Sequence, residues 1–207
     1  MKAILICTLL LIPVIQCTTL KNSSSIFDTN GYAVSPRTSY ELLSASGGVS
    51  MEDKQDNGTC FNRVYQAKLG LNVAFVPTSG SDGPLKTSTD MYVMFPYGCF
   101  GDPSVCITHA WRVSSYGTTN KQGFVTANGK RKDPSSWFKI ERSGNAYFFR
   151  FCPSCPNCSL PCQNIGVIND RGMKRLGFSD VPWMFQLAIR LGGIVNPFIG
   201  PACAQFP

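Results

Sequence analysis

The chain has 207 residues, which fits one domain or one domain with tails. Its 19 Lys and Arg against 12 Asp and Glu give a net charge of +7, with the basic residues scattered along the sequence. This mild balance suits a partner with an acidic surface, but the scatter argues against nucleic acid as a partner. After the first 25 residues, no segment is apolar for long enough to span a membrane.

The N-terminus has the features of a secretory signal. Lys2 supplies a positive charge, residues 3–15 form an apolar run without an acid, and a polar stretch follows. We predict a cleaved signal peptide over residues 1–19, with cleavage after Cys17 or Thr19, and a retained membrane helix as the alternative. The mature protein is then expected to be secreted or extracellular, with the vacuole or the apoplast as destinations, and free of the membrane.

Two sequons lie in surface-like stretches near the start of the mature chain. Asn22 begins the triplet Asn-Ser-Ser, and Asn57 begins Asn-Gly-Thr. Both are predicted N-glycosylation sites.

From there on, apolar residues alternate with polar ones in many short segments, the pattern of half-buried strands. The clearest runs start at Leu71, Met91, Trp111, Phe138, Tyr147 and Trp183, the last reaching Ile189. Turn signals separate them: Asn30-Gly31, Gly47-Gly48, Asp82-Gly83-Pro84, Asn128-Gly129, Gly144-Asn145 and Asp170-Arg171-Gly172. No helical period is sustained, so the sequence predicts a single all-β domain over residues 26–190.

Basic and aromatic residues in this region have ordinary structural explanations. The run Lys130-Arg131-Lys132 is turn-like and is interpreted as a solvated loop. Trp111, Trp137 and Trp183 are interpreted as packing residues rather than a ligand stack. His109 is the only histidine, and no phosphate loop or paired-carboxylate motif stands out. We therefore expect no enzyme activity, no cofactor and no metal.

The cysteines indicate a disulfide framework. Of ten cysteines, Cys7 and Cys17 lie in the signal, which leaves an even set of eight in an exported chain. Four of them are crowded together, at Cys152, Cys155, Cys158 and Cys162. Zinc binding is one interpretation. Nested disulfides, Cys152 with Cys162 and Cys155 with Cys158, are the preferred one. A Gly/Pro-rich tail, residues 191–207, carries Cys203.

Several motifs together resemble the plant Kunitz family of the soybean trypsin inhibitor type, in its miraculin-like branch. Residues 26–34 read IFDTNGYAV, residues 137–141 read WFKIE, and residues 175–183 read RLGFSDVPW. Each is similar to a family motif, and the likeness extends from about residue 26 to 189. The resemblance implies a β-trefoil and a long-range disulfide from Cys60 to Cys99 or Cys106, with Cys106 favoured by its distance from Trp111. Cys99 and Cys203 would then remain to pair.

The resemblance also implies a monomeric, secreted, defence-related protease inhibitor that places a rigid, substrate-like loop in the cleft of its target. The corresponding reactive loop is Thr78, Ser79, Gly80, Ser81 and Asp82. The residue for the specificity pocket (P1) falls near Gly80, give or take one position. Lys86 is the nearest basic residue and lies beyond the loop. Pro36 stands where the family has a loop-supporting Asn.

Those departures argue against trypsin as the target, because its pocket needs Lys or Arg. A small P1 residue suits elastase-like or subtilisin-like pockets, and another surface could serve for cysteine or aspartic proteases. The alternative function is a non-inhibitory relative for storage, defence or small-ligand binding.

Overall fold

The computed structural model describes residues 24–56, 59–96, 110–114, 122–156 and 160–189, with the backbone alone for 53–56 and 59–62. These residues form strands β1 Ser39–Leu43, β2 Gly48–Asp56, β3 Thr59–Ala67, β4 Val73–Pro77, β5 Met91–Met94, β6 Arg112–Val113, β7 Val125–Thr126, β8 Lys139–Ser143, β9 Ala146–Phe151, β10 Gln163–Asp170, β11 Met173–Phe178 and β12 Gln186–Ala188. A 3₁₀ turn, Pro134–Ser136, precedes β8. No helix of this described part is long and apolar enough to cross a bilayer.

Strands β12, β1, β4, β5, β8 and β9 close into a barrel. Antiparallel pairing joins β12 to β1, β1 to β4, β4 to β5 and β8 to β9. Two isolated bridges complete the ring. Met91 in β5 pairs with Phe138 before β8, and Tyr147 in β9 pairs with Phe185 before β12. Each barrel strand that the structure describes therefore has a neighbour on both sides.

The hairpins β2–β3, β6–β7 and β10–β11 form a cap at one end of the barrel. Arg63 of β3 pairs with Thr126 of β7, and Tyr65 of β3 pairs with Arg175 of β11. A bridge from Phe124 to Gly177 joins the second and third hairpins. The chain thus repeats barrel strand, hairpin and barrel strand three times. This arrangement is the predicted β-trefoil.

The period-two pattern places the expected residues in the core. In β9, Tyr147, Phe149 and Phe151 are buried, and the side chains between them are half-buried. The prediction is wrong at the C-terminal end, because β12 ends at Ala188 and Ile189 is 37% exposed. Only Glu41, Leu42 and Leu43 pair with β12, so Ile189 has no partner strand in the described part of the chain.

An aromatic cluster fills the barrel, with Phe149 at its centre. The ring centroid of Phe149 lies 4.6 Å from Phe185, 5.1 Å from Trp111 and 6.4 Å from Phe75. All four side chains are fully or almost fully buried. Tilted, edge-on and offset ring contacts of this kind stabilise a core beyond the burial of their area.

A disulfide joins Cys152 to Cys162, the outer pair of the nested arrangement. Cys155 is also in a disulfide. These sulfur atoms are therefore not thiolate ligands of zinc. We call residues 152–162 the disulfide loop.

Other predicted features lie outside the described residues. They are the signal peptide over 1–19, the tail 191–207, Asn22, Asn57, His109, Cys99, Cys106, Cys158, Cys203 and the side chain of Cys60.

Truncation of the central ring should strongly destabilise the fold. We expect Phe149→Ala to lower the free energy of unfolding by about 3–5 kcal/mol, because it removes buried area and leaves a cavity. Phe148→Ala, one residue away on the half-buried face, should cost only about 1 kcal/mol. Urea denaturation of both variants is the measurement, and equal losses would contradict this account of the core.

Removal of the Cys152–Cys162 crosslink should destabilise the fold less than Phe149→Ala does. The double substitution Cys152→Ser with Cys162→Ser is expected to lower the free energy of unfolding by about 3 kcal/mol in the chain-entropy view. Urea titration of the variant and the parent measures this. An unchanged midpoint would show that the loop is fixed by its other contacts.

Candidate functional site

The candidate site is the loop between β4 and β5, residues 78–90. Since β1 leads into hairpin β2–β3 and β4 leads out of it, this loop lies at the barrel end opposite the cap. Thr78 is half-buried, and residues 79–84, which we call the loop tip, are exposed. Thr78 to Asp82 thus form one continuous projecting segment.

The first base of the loop is fixed to the strand that follows it. The Thr78 amide and the Thr78 Oγ1 hydroxyl both donate to the backbone carbonyl of Asp90 at 3.1 Å. Pro77 and Met91 are register partners in the β4–β5 pair. The hydrogen bonds therefore continue the ladder one step beyond the last paired residues.

The disulfide loop braces that same point. The Asp90 carboxylate accepts the Ser154 amide at 3.1 Å and lies 3.8 Å from the Lys139 ammonium, which donates to the Ser154 hydroxyl at 2.8 Å. The Asp90 and Lys139 side chains are only 10% and 14% exposed. A charged pair this well covered is screened less by salt than a surface pair.

The second base is fixed to the N-terminal segment. Leu85 is buried, its amide donates to the Val34 carbonyl at 2.9 Å, and its carbonyl accepts the Ile26 amide at 3.0 Å. The next residue, Lys86, forms a bridge with Ser25 and keeps its side chain exposed. Lys86 thus lies beyond the loop tip, where the sequence places it.

Between these two bases the tip is curled into successive turns. The Gly80 amide donates to the Pro77 carbonyl at 3.1 Å, and the Ser81 and Gly83 amides donate to the hydroxyls of Ser79 and Ser81 at 3.4 and 3.3 Å. Gly80 has φ of +74°, a conformation that costs glycine little. The tip is therefore held by short-range contacts of its own.

Within the part of the chain that the structure describes, one hydrogen bond or ion pair reaches the tip from outside the loop. The guanidinium of Arg37 forms an ion pair with the Asp82 carboxylate. Sequence reasoning missed Arg37, because the two residues are 45 positions apart and no local pattern connects them. Pro36 immediately precedes Arg37 in the chain.

The loop tip carries small and polar groups. It offers small hydroxyl side chains, backbone groups and one carboxylate, and no Lys or Arg. Within the described residues, no group of three His, Cys, Asp or Glu side chains is placed to hold a metal ion.

The other residues considered from the sequence have packing or turn roles. Lys130 and Lys132 lie in an exposed turn whose amides donate to the Ser136 and Tyr92 hydroxyls. Trp111 and Trp183 are buried in the core, and the half-buried Trp137 donates its indole N–H to the Tyr92 hydroxyl at 3.2 Å. These placements agree with the predicted roles of the three tryptophans.

Sequence comparison identifies relatives over most of the chain. It is 32% identical to the 21 kDa seed protein of Theobroma cacao, over 80% of this chain and 82% of the relative. It is 31% identical to Kunitz trypsin inhibitor 5 of Arabidopsis thaliana, over 75% and 80%. Miraculin of Synsepalum dulcificum is 29% identical over 78% and 81%.

Solved structures share the fold. The Kunitz-type cysteine protease inhibitor from potato superposes with a TM-score of 0.65 at 24% identity, covering 80% of this chain and 97% of that one. The water-soluble chlorophyll protein of Brassica oleracea gives 0.63 at 21%, covering 80% and 98%. The sequence profile described as "Trypsin and protease inhibitor" matches residues 26–188. The chain therefore belongs to the legume-type Kunitz family of trypsin and protease inhibitors.

Proposed function

We propose that this protein inhibits an endopeptidase by presenting residues Thr78 to Asp82 to the cleft of the enzyme. The observation that carries the proposal is an exposed segment whose two bases are fixed to a closed barrel, at Thr78 and at Leu85. Fixed bases lower the conformational entropy lost on docking, so more of the contact energy contributes to affinity. The family of the chain has inhibition, rather than catalysis, as its described role.

The conformation of the tip restricts which residue can act as P1. A substrate segment binds in an extended form with negative φ, as an added strand does. Gly80, at φ of +74°, does not have that form. Its neighbours Ser79 and Ser81 lie outside the positive-φ region and have small side chains, and are the proposed P1 candidates. Either one suits a shallow pocket of the elastase or subtilisin type, and neither suits trypsin.

The alternative is a non-inhibitory binding, storage or defence protein. The curled tip, with its backbone turning back at Gly80, favours this reading, because a curled segment must open before it fits a cleft. Relatives that are not named as protease inhibitors support the same alternative, among them miraculin and the water-soluble chlorophyll protein. An inhibitor retains the protease in a stable complex, whereas a non-inhibitory protein is simply cleaved at the loop.

The proposed setting is outside the cytosol. The disulfides of Cys152 and Cys155 persist best in an oxidising compartment, which agrees with the predicted export signal. The proposed partner is a secreted or vacuolar protease, bound by a monomer of this protein.

A titration against serine, cysteine and aspartic proteases tests the proposed function. We expect tight, stoichiometric inhibition of at least one enzyme with a small specificity pocket, and weak inhibition of trypsin. Enzymes of all three classes that retain full activity at equimolar protein would contradict it and favour the alternative.

An arginine scan of the tip tests its substrate-like use. Ser79→Arg or Ser81→Arg should bind trypsin at least about tenfold more tightly than the parent, because the new side chain pairs with the acid in the trypsin pocket. Ser143→Arg, an exposed serine of β8 outside the loop, is the matched control. Trypsin affinities that rise equally in all three variants would reveal a general charge effect.

A further inference from the structure

We propose that Arg37 is a positioning residue that holds the loop tip through its ion pair with Asp82. The inference rests on the proposed function, in that the tip is the surface that meets the protease. It assigns a role to a residue that lies outside the loop and far from it in sequence.

The backbone around Arg37 is hydrogen-bonded to the barrel. Residues 36 and 37 form a turn in which Arg37 has φ of +60°. Proline fixes the first corner of such a turn. The Arg37 amide donates to the Phe75 carbonyl at 2.9 Å, and the Ser35 amide donates to the Tyr40 hydroxyl at 2.9 Å. Phe75 and Tyr40 are buried barrel residues, so the turn is tied directly to the core.

The unusual backbone of Arg37 is itself informative. A positive φ is disfavoured for any residue with a Cβ atom, and it persists where the surrounding structure demands it. Here it follows Pro36 and directs the chain so that the guanidinium meets Asp82. Pro36 thus builds the turn, and Arg37 makes the contact.

The two glycines of the tip have few neighbours. A Cβ added at Gly80 would meet nothing within 4 Å, and one at Gly83 would meet only the Ser81 hydroxyl, at 3.6 Å. Both glycines therefore lie in open space on either side of Asp82. Among the described residues, Arg37 alone reaches the tip with a hydrogen bond or ion pair from outside the loop.

The pair is exposed, with 50% of the Arg37 side chain and 79% of the Asp82 side chain accessible, so its effect in free solution is small. A docked protease excludes water from the tip, and the attraction between the charges then increases. The contact should therefore affect the stability of the complex and the opening of the loop, and leave global stability unchanged.

The test uses Arg37→Ala, Asp82→Ala and the double variant, with Arg171→Ala as the matched control. Arg171 is also exposed and also has a positive φ, of 53°, but lies in the β10–β11 turn of the cap. The readouts are the rate at which equimolar subtilisin-type protease cleaves the loop tip, and the dissociation rate of any inhibitory complex.

We expect both rates to rise about two- to five-fold in Arg37→Ala and in Asp82→Ala, the range of an exposed ion pair. The double variant should equal the single ones, because one contact is removed in all three. Arg37→Lys should raise both rates less than Arg37→Ala does, because lysine keeps the positive charge. At about 1 M salt the difference from the parent should fade, since screening then acts within about 3 Å.

Rates in Arg37→Ala that match those in Arg171→Ala, or effects that add in the double variant, would overturn the assignment. A failure of the proposed function looks different. If the parent inhibits no protease of any class, that function is lost, and the tip cleavage rates still decide whether Arg37 holds the tip.

Discussion

The closed ring of barrel strands around Phe149 is the constraint on which the rest of the structure depends. Two single bridges, Met91 to Phe138 and Tyr147 to Phe185, complete that ring, and the aromatic side chains fill it. Because the interior is filled by large rings in mutual contact, the strands have little freedom to slide. The strand ends, and the loop bases attached to them, therefore have little freedom to move as well.

The site divides into firm bases and an adaptable tip. Thr78 and Leu85 are tied to the barrel and the N-terminal segment, whereas the residues between them rely on weak serine contacts and on Arg37. The affinity of such a loop for a partner depends on how much conformational entropy the loop loses on binding. Proteins that share this fold can therefore have the same scaffold and differ in function through the composition of one loop tip.

The disulfide loop belongs to this arrangement through Asp90. The backbone carbonyl of that residue accepts Thr78, and its carboxylate accepts Ser154 next to Lys139. The crosslink between Cys152 and Cys162 thus stabilises a segment that packs beside the base of the loop. Asp90 thus connects the base of the loop, through its backbone carbonyl, to the crosslinked segment, through its carboxylate.

The sequence by itself determined the strands, the all-β class, the Cys152–Cys162 disulfide and the segment between β4 and β5 as a loop, because period-two alternation, turn residues and family motifs are local signals. Only the tertiary structure decided that Arg37 meets Asp82, that Asp90 holds Thr78, and that Ile189 lies outside the core. The two contacts depend on barrel closure and strand register, which join residues 45 and 12 positions apart and leave no trace in a local pattern.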